Sequence, residues 1–128
     1  MPYVRWIPSG LILNSSTPVA LSDANATLTI SQILNNGAFT ISPTVLTTRT
    51  LTLPTAANIV AGVSEIATND CLEFSVINTG AGTAAVAAGT GGALTGLANI
   101  SANNSGIYRI YVTNIAGGTE AYSIYRLT

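Results

Sequence analysis

The sequence contains no histidine and no lysine, and these two absences exclude much of enzyme chemistry before any motif is considered. Without histidine there is no imidazole general base, no catalytic triad or Cys-His pair, and no histidine ligand for a metal. Without lysine there is no Schiff-base nucleophile and no phosphate-binding P-loop. We therefore expect no catalytic residues and no enzyme activity.

Cysteine and charged residues are also scarce. The single cysteine, Cys71, excludes an intrachain disulfide and a cysteine-based zinc site, and we expect it to be a small buried side chain. Charged residues make up 7% of the chain, against roughly 25% in an average protein. The four arginines, at positions 5, 49, 109 and 126, are too far apart in sequence to suggest a basic surface for nucleic acid. We expect no nucleic-acid partner, no metal and no cofactor.

Long apolar runs are absent as well, although 48% of the 128 residues are hydrophobic. No segment approaches the ~20 continuous apolar residues of a membrane helix. The opening segment, 1–16, contains Pro2 and Pro8 and lacks the apolar core of a signal peptide. The sequence predicts neither a membrane span nor Sec-dependent export.

Hydroxyl and amide side chains fill the polar positions instead, with 18 Thr, 11 Ser and 11 Asn. A surface with so little charge has little electrostatic repulsion against self-association. We infer a protein that packs against other copies of itself or against a larger assembly. The alternative is a monomer in which Thr and Asn merely suit strands and turns.

Residues 1–24 predict an extended N-terminal arm, because its recurring prolines disfavour helix and its apolar residues are unlike a disordered tail. We expect this arm to dock on a neighbouring molecule, with Trp6 as its aromatic anchor. The alternative is a first strand that folds back on its own domain. The candidate contact residues of the arm are Tyr3, Trp6, Ile7, Leu11 and Ile12.

Residues 25–128 predict one β domain. Apolar and hydroxyl residues alternate over 27–31 and 48–53, and turn signals recur every 8 to 15 residues. Thr55–Ala61 predicts one short helix, capped by Thr55 and ended by Gly62, whereas 32–36 fits either a helical turn or the end of a strand. The expected fold is all-β, an antiparallel β-sandwich or jelly-roll-like barrel with this one helix.

Three groups of residues suggest chemistry but have simpler explanations. Gly80-Ala81-Gly82-Thr83-Ala84-Ala85 fits a dinucleotide-binding fingerprint, but no helix or acidic partner follows, so a turn is expected. Glu65, Asp70 and Glu73 could form a carboxylate or calcium site, although turn and surface roles fit them better. The tyrosines could stack on sugars, but cross-strand pairing in the last hairpin explains four of them.

The last hairpin also contains Arg109 and Arg126, which symmetric pairing about the turn at 116–119 places opposite each other. Two facing arginines would need an anion, and Glu120 or the terminal carboxylate of Thr128 on a neighbouring subunit could supply it. The alternative is two solvated arginines. We treat both as candidate protein-interaction residues.

The order of several motifs is similar to that in small β domains of tailed-phage virions. The matching runs are ATLTISQIL at 26–34, RTLTLPTA at 49–56, EFSVINTG at 73–80, YVTNI at 111–115 and EAYSIYRL at 120–127. Over roughly residues 26–128 the chain resembles capsid decoration (cement) proteins and head-fibre or tail-fibre domains.

This resemblance implies a virion structural protein, made in the host cytoplasm and located on the capsid surface. As a cement protein it would form a homotrimer and bind the major capsid protein, stabilising contacts between capsomers. The alternative is a fibre or spike domain that binds a host surface glycan. The resemblance supplies no catalytic residues.

Overall fold

The computed structural model describes residues 17–128, together with the backbone of Val4–Trp6 and Ile12–Asn14. Twelve strands and two helices lie in this part of the chain. In chain order they are β1 (Val4–Trp6), β2 (Ile12–Asn14), β3 (Val19–Ala20), β4 (Ala26–Thr27), α1 (Ile30–Asn35), β5 (Ala38–Ile41), β6 (Thr48–Thr52), α2 (Ala56–Gly62), β7 (Cys71–Asn78), β8 (Thr83–Ala87), β9 (Gly92–Thr95), β10 (Asn99–Ile100), β11 (Ser105–Asn114) and β12 (Ala121–Arg126).

Within residues 17–128, the strands form a six-stranded sheet in the order β3-β5-β7-β11-β12-β9 and a four-stranded sheet in the order β10-β8-β6-β4. The inner faces of both sheets, together with one side of each helix, supply a single buried core. Phe74 lies at its centre, stacked on Tyr108 at 5.3 Å and edge-on to Phe39 at 6.2 Å between ring centroids.

The prediction of an all-β, antiparallel sandwich or jelly-roll-like barrel is wrong. The protein is a mixed α/β domain in which both of these sheets contain parallel and antiparallel pairs. β5 runs parallel to β7, and β6 runs parallel to β8, whereas β11 is antiparallel to both β7 and β12. Parallel pairs outnumber antiparallel ones at five to three in these two sheets.

The path of the chain explains the parallel pairs. From β3 to β10, successive strands alternate between the six-stranded and the four-stranded sheet. Where a strand crosses to the opposite sheet and returns in its original direction, next-but-one strands become parallel neighbours, as in β3–β5, β4–β6, β5–β7 and β6–β8. The alternation ends differently, because β10 pairs antiparallel with β8 and β9 pairs with β12 instead of β7. Alternating hydrophobicity shows that one face of each strand is buried, but it does not indicate which of two sheets receives the strand.

The helix α1 was predicted only as one of two alternatives, a helical turn over 32–36, and it begins two residues earlier, at Ile30. The strand expected over 27–31 ends at Thr27, and Thr29 instead caps the helix that follows. Its side chain accepts a hydrogen bond from the backbone N–H of Gln32 at 3.1 Å, while the Gln32 side chain accepts one from the Thr29 N–H at 3.0 Å. This reciprocal capping box is readable in the sequence as T-x-x-Q. The helix predicted from Thr55 is confirmed as α2.

The connection from β7 to β8 is organised by Asn78, whose side chain is buried with 1% exposure. Its amide nitrogen donates to the carbonyl oxygens of Gly82 and Ile100, both at 2.9 Å, and its amide oxygen accepts from the Gly80 N–H at 2.9 Å. The glycines here meet a close approach, since a Cβ at Gly82 would overlap the Thr44 carbonyl oxygen. The predicted turn over 80–82 is therefore confirmed.

Replacing this amide tests how strongly it holds the two sheets together. Asn78→Ala removes the hydrogen bonds that this buried amide makes with Gly82, Ile100 and Gly80, so we expect the free energy of unfolding to fall by about 2–4 kcal/mol. Urea denaturation measures this change. The matched control is Asn104→Ala, which removes an exposed side-chain amide and should change stability by less than about 0.5 kcal/mol. Equal losses in the two variants would contradict the assigned role.

A second buried polar contact joins the sheets at Tyr122 of β12. Its hydroxyl donates to the Pro54 carbonyl oxygen at 2.7 Å and accepts from the Gly89 N–H at 2.9 Å. Burial raises the pKa of Tyr122 above its ordinary value of 10.0, and burial also raises the pKa of Tyr108. Both hydroxyls are thus held in their neutral form by the core.

These raised pKa values predict a loss of stability in alkali. Above about pH 10 the tyrosines of the unfolded chain ionise first, so the unfolded state binds fewer protons and the free energy of unfolding falls; below that pH their contribution is constant. Tyr122→Phe should cost about 1–3 kcal/mol at neutral pH, because it leaves two backbone groups unpaired. Above pH 10, the free energy of unfolding of Tyr122→Phe should fall less steeply with pH than that of the wild type. Urea denaturation at each pH measures this slope. An equally steep fall in both proteins would contradict the raised pKa of Tyr122.

Candidate protein-interaction surface

The six-stranded sheet has more strands than the other sheets in the described part of the chain, and its outer face is the candidate interaction surface. Its side chains point away from the core, are exposed or half-buried, and are mostly small, hydroxyl-bearing, aliphatic or tyrosine. We define this outer face by Ala38, Thr40, Cys71, Glu73, Ser75, Ile77, Ile107, Arg109, Tyr111, Thr113, Ser123 and Tyr125.

The charges on the outer face neutralise each other. Glu73 lies directly opposite Arg109 in the β7–β11 pairing, and both guanidinium Nε and Nη2 donate to Glu73 Oε2, at 3.2 and 2.8 Å. The third contact is a hydrogen bond from Nη1 to the Tyr111 hydroxyl at 3.2 Å. The hydrogen bonds to Tyr111 and Glu73 raise the pKa of Arg109 above its ordinary value. The pair therefore adds no net charge to this face.

The structure does not bring Arg109 and Arg126 together. Close to the turn, Asn114 pairs with Ala121, as symmetric pairing requires, but a β-bulge between Val112 and Asn114 shifts the remaining pairs by one residue. Arg109 then faces Tyr125, and Arg126 faces Tyr108. Because residues opposite each other share a face, a one-residue shift puts the two arginines on opposite faces of the sheet. The prediction that they face each other is wrong.

The Arg126 side chain makes contacts within the fold on the inner side of the six-stranded sheet. Its guanidinium lies 5.8 Å from the centroid of the Tyr108 ring, and its Nη1 donates to the Asn99 carbonyl oxygen at 2.7 Å. It thus connects β12 to the start of β10.

Arg49, near the start of β6, pairs with Asp23 at 2.7 Å and lowers the pKa of that carboxyl.

Cys71 is exposed on the outer face, and the prediction that it is buried is wrong. In β7 the buried side chains are those of Phe74, Val76 and Asn78, so odd-numbered residues point outward. Cys71 begins this strand and faces Tyr111 across the β7–β11 pairing. An apolar run around a residue does not specify which face of the strand it occupies.

An open groove of about 630 Å³ crosses one end of the outer face. Tyr111 and Tyr125 stand edge to face there, with ring centroids 5.6 Å apart. Thr113 and Ser123 place hydroxyls beside these rings, and Asn69 contributes an amide. The sequence pointed to these tyrosines, but only the register shows that two of them share the outer face.

Two of the acidic residues considered for a metal or calcium site make hydrogen bonds within the fold instead. Asp70 accepts a hydrogen bond from the Ala67 N–H at 2.8 Å, which confirms its turn role, and Glu73 belongs to the pair with Arg109. Within the part of the chain that the structure describes, no three carboxylate or thiol side chains cluster as metal ligands. Neither of the two helices there has the length and apolar character to cross a membrane.

The structure describes only parts of the predicted N-terminal arm. Tyr3, Ile7 and Leu11 lie outside the described residues, whereas Trp6 faces Ile12 in the backbone pairing of β1 with β2. At its other end, within the predicted range 1–24, Val19–Ala20 forms β3 and pairs in parallel with β5. The role of the arm stays a prediction.

The chain was compared with known protein families, with curated proteins and with solved structures, and no match was found in any of the three.

The two arginines of the hairpin should differ in their effect on stability. Arg126→Ala removes a cation–π contact and a hydrogen bond to a backbone carbonyl, so we expect a loss of about 1–2 kcal/mol in the free energy of unfolding. Arg109→Ala removes an exposed ion pair and should cost less. Thermal and urea denaturation of both variants provide the measurement. A larger loss in the free energy of unfolding for Arg109→Ala than for Arg126→Ala would contradict the contacts described for the two side chains.

Proposed function

We propose that this protein is a capsid decoration protein of a tailed-phage virion, which binds the outer capsid surface as a homotrimer and stabilises contacts between capsomers. The observation that carries the proposal is the outer face of the six-stranded sheet, where hydroxyl, small and aliphatic side chains surround one ion pair that neutralises itself. Such a surface can be buried against the major capsid protein without stranding an unpaired charge.

The outer face offers a substantial part of the area that an interface needs. The six strands contain 34 residues in all, so at about 3.3 Å per residue and about 4.8 Å between strands the sheet covers roughly 540 Å². This is about two thirds of the ~800 Å² that each partner contributes to an interface of standard size. Attachment would rest on apolar burial and hydrogen bonds between hydroxyls and the partner's backbone.

Oligomerisation would strengthen this attachment. Once one subunit of a trimer is bound, the other two search for their sites at a high effective concentration. Modest contacts by each outer face would then add up to stable occupancy. A protein with this task needs no titratable catalytic group, which agrees with the composition.

The test is rebinding to capsids stripped of decoration protein, taken from the phage that encodes this chain. We expect the wild type to bind at saturable occupancy, measured by co-sedimentation. Ser75→Glu introduces an uncompensated charge near the middle of the outer face and should reduce affinity at least about tenfold. Ser22→Glu, on an exposed loop before β4, is the control and should bind normally.

Two results would overturn the proposal: a folded wild type that does not bind the stripped capsids, or equal binding by both glutamate variants.

Trp6→Ala measures the separate contribution predicted for the N-terminal arm, and we expect it to weaken rebinding to stripped capsids.

A fibre domain that binds host glycan is the second candidate, and the groove beside Tyr111 and Tyr125 is the observation that favours it. Exposed aromatic rings flanked by hydroxyl and amide groups suit a saccharide, which presents both apolar C–H faces and hydroxyls. A glycan array would detect binding that Tyr125→Ala abolishes. An array with no signal at high protein concentration would remove this candidate.

A further inference from the structure

The groove beside Tyr111 and Tyr125 presents an aromatic surface to solvent. Tyr125 is 42% exposed, and its ring stands at 78° to that of Tyr111, with 5.6 Å between the ring centroids. The two rings therefore form a corner that a ligand can contact from two directions. We call it the tyrosine groove; Asn69, Thr113, Ser123, Arg126 and Leu127 complete its lining.

Contacts within the chain hold the two rings in place. They lie on neighbouring strands, where Tyr111 of β11 faces Ser123 of β12 and Arg109 faces Tyr125. The Arg109 Nη1 donates to the Tyr111 hydroxyl at 3.2 Å, and the Glu73 carboxylate holds the same guanidinium through Nη2 at 2.8 Å. A surface that is ordered before it binds loses less conformational entropy on binding, which favours association.

The β-bulge in β11 places a hydroxyl in the tyrosine groove. The β11–β12 pairing passes from Val112 to Asn114, so Thr113 between them has no partner in β12. A bulge redirects the side chain of the extra residue, and bulges are over-represented beside active sites. Thr113 is exposed and lines the groove. The irregularity that changes the register of the hairpin thus also shapes this site.

Two further polar side chains lie beside the rings. Ser123 adds a second hydroxyl, and Asn69 adds an amide whose position is set by a hydrogen bond from the Asn69 backbone N–H to the Val112 carbonyl oxygen at 2.8 Å. Hydroxyl and amide side chains both donate and accept hydrogen bonds, as sugar hydroxyls do. The C–H face of a pyranose ring is apolar and suits an aromatic ring. The groove therefore combines the two kinds of contact that a saccharide needs.

The two arginines near the tyrosine groove already have partners. Arg109 is paired with Glu73, whereas Arg126 donates from Nη1 to the Asn99 carbonyl oxygen at 2.7 Å and lies over the Tyr108 ring. An acidic sugar would have to desolvate its carboxylate without a free cation to pair with it, which costs free energy. The charges around the groove therefore favour a neutral ligand.

We propose that the tyrosine groove binds a neutral saccharide, with the C–H face of one pyranose ring on Tyr125 and the sugar hydroxyls bonded to Thr113, Ser123 and Asn69. The groove volume of about 630 Å³ lies within the roughly 300–1,000 Å³ of small-molecule sites. The inference rests on the second candidate function, glycan binding, and specifies the chemical class of the glycan.

Saturation-transfer NMR with matched sugars tests the ligand class. The probes are the methyl pyranosides of glucose, galactose and mannose, each compared with the methyl glycoside of its uronic acid, in which a carboxylate replaces the hydroxymethyl group. We expect at least one neutral probe to bind with a dissociation constant on the order of 1 mM, and its uronic acid to bind at least about tenfold more weakly. Saturation should be strongest on the C–H protons of one ring face. Absence of binding by all neutral probes at about 50 mM, or equal binding by the uronic acid, would overturn the inference.

Two pairs of variants locate the binding. Tyr125→Ala removes the ring and should weaken binding of the neutral probe at least about tenfold, whereas Tyr125→Phe keeps the ring and should bind within about twofold of the wild type. Thr113→Val removes a hydroxyl from the groove and should weaken binding about three- to tenfold. Its matched control, Thr48→Val, alters an exposed threonine of β6 and should leave binding unchanged. Thermal denaturation confirms that each variant is folded. Wild-type affinity in folded Tyr125→Ala would overturn the proposal.

The glycan array separates this inference from the function on which it rests. A chain that binds a neutral probe through Tyr125 but no host glycan on the array would overturn the fibre function alone. Array binding confined to acidic glycans and lost in Tyr125→Ala would overturn this inference alone. Binding of a proline-rich peptide in the groove, with no binding of any sugar, would overturn both.

Discussion

The buried amide of Asn78 is the contact on which the arrangement of the two sheets depends. It ends β7 in the six-stranded sheet and reaches the carbonyls of Gly82 and Ile100, which belong to the path of the four-stranded sheet. In a core built from aliphatic and aromatic side chains, Asn78 is a buried amide whose polar atoms are all hydrogen-bonded to the backbone. One polar side chain thus links the backbone segments where the chain passes between the layers.

Two of the four arginines are paired with carboxylates of the same chain. The Glu73–Arg109 pair lies on the outer face, and the Asp23–Arg49 pair lies beside the loop between β5 and β6, where the Thr44 hydroxyl also donates to Asp23. An arginine already paired within its own chain needs no counter-charge from a partner. Neutral hydroxyl and aliphatic groups are then left to make the contacts between molecules.

For the last hairpin, sequence reasoning was right about some outward side chains and wrong about others. Arg109 and two outward tyrosines do lie on the exposed side of the last hairpin, but Arg126 does not, because one bulge at 112–114 reverses the face of every residue beyond it. Leu46 had no distinguishing signal in the sequence. Its positive φ and its exposure arise in a loop held by residues distant in sequence, because the Pro43 carbonyl accepts from Ala81 and Gly82 and the Thr44 hydroxyl donates to Asp23.

The sequence by itself determined the absence of His- and Lys-based chemistry, the sparse charge, the alternating strands, the helix capped by Thr55 and the turn after Asn78. These features are local or compositional, since a cap, a turn or an alternation involves residues a few positions apart. The tertiary structure decided the sheet to which each strand belongs, the parallel pairing and the face that each arginine occupies. Those outcomes depend on pairing between distant segments, where a one-residue change in register exchanges the inner and outer faces of a strand.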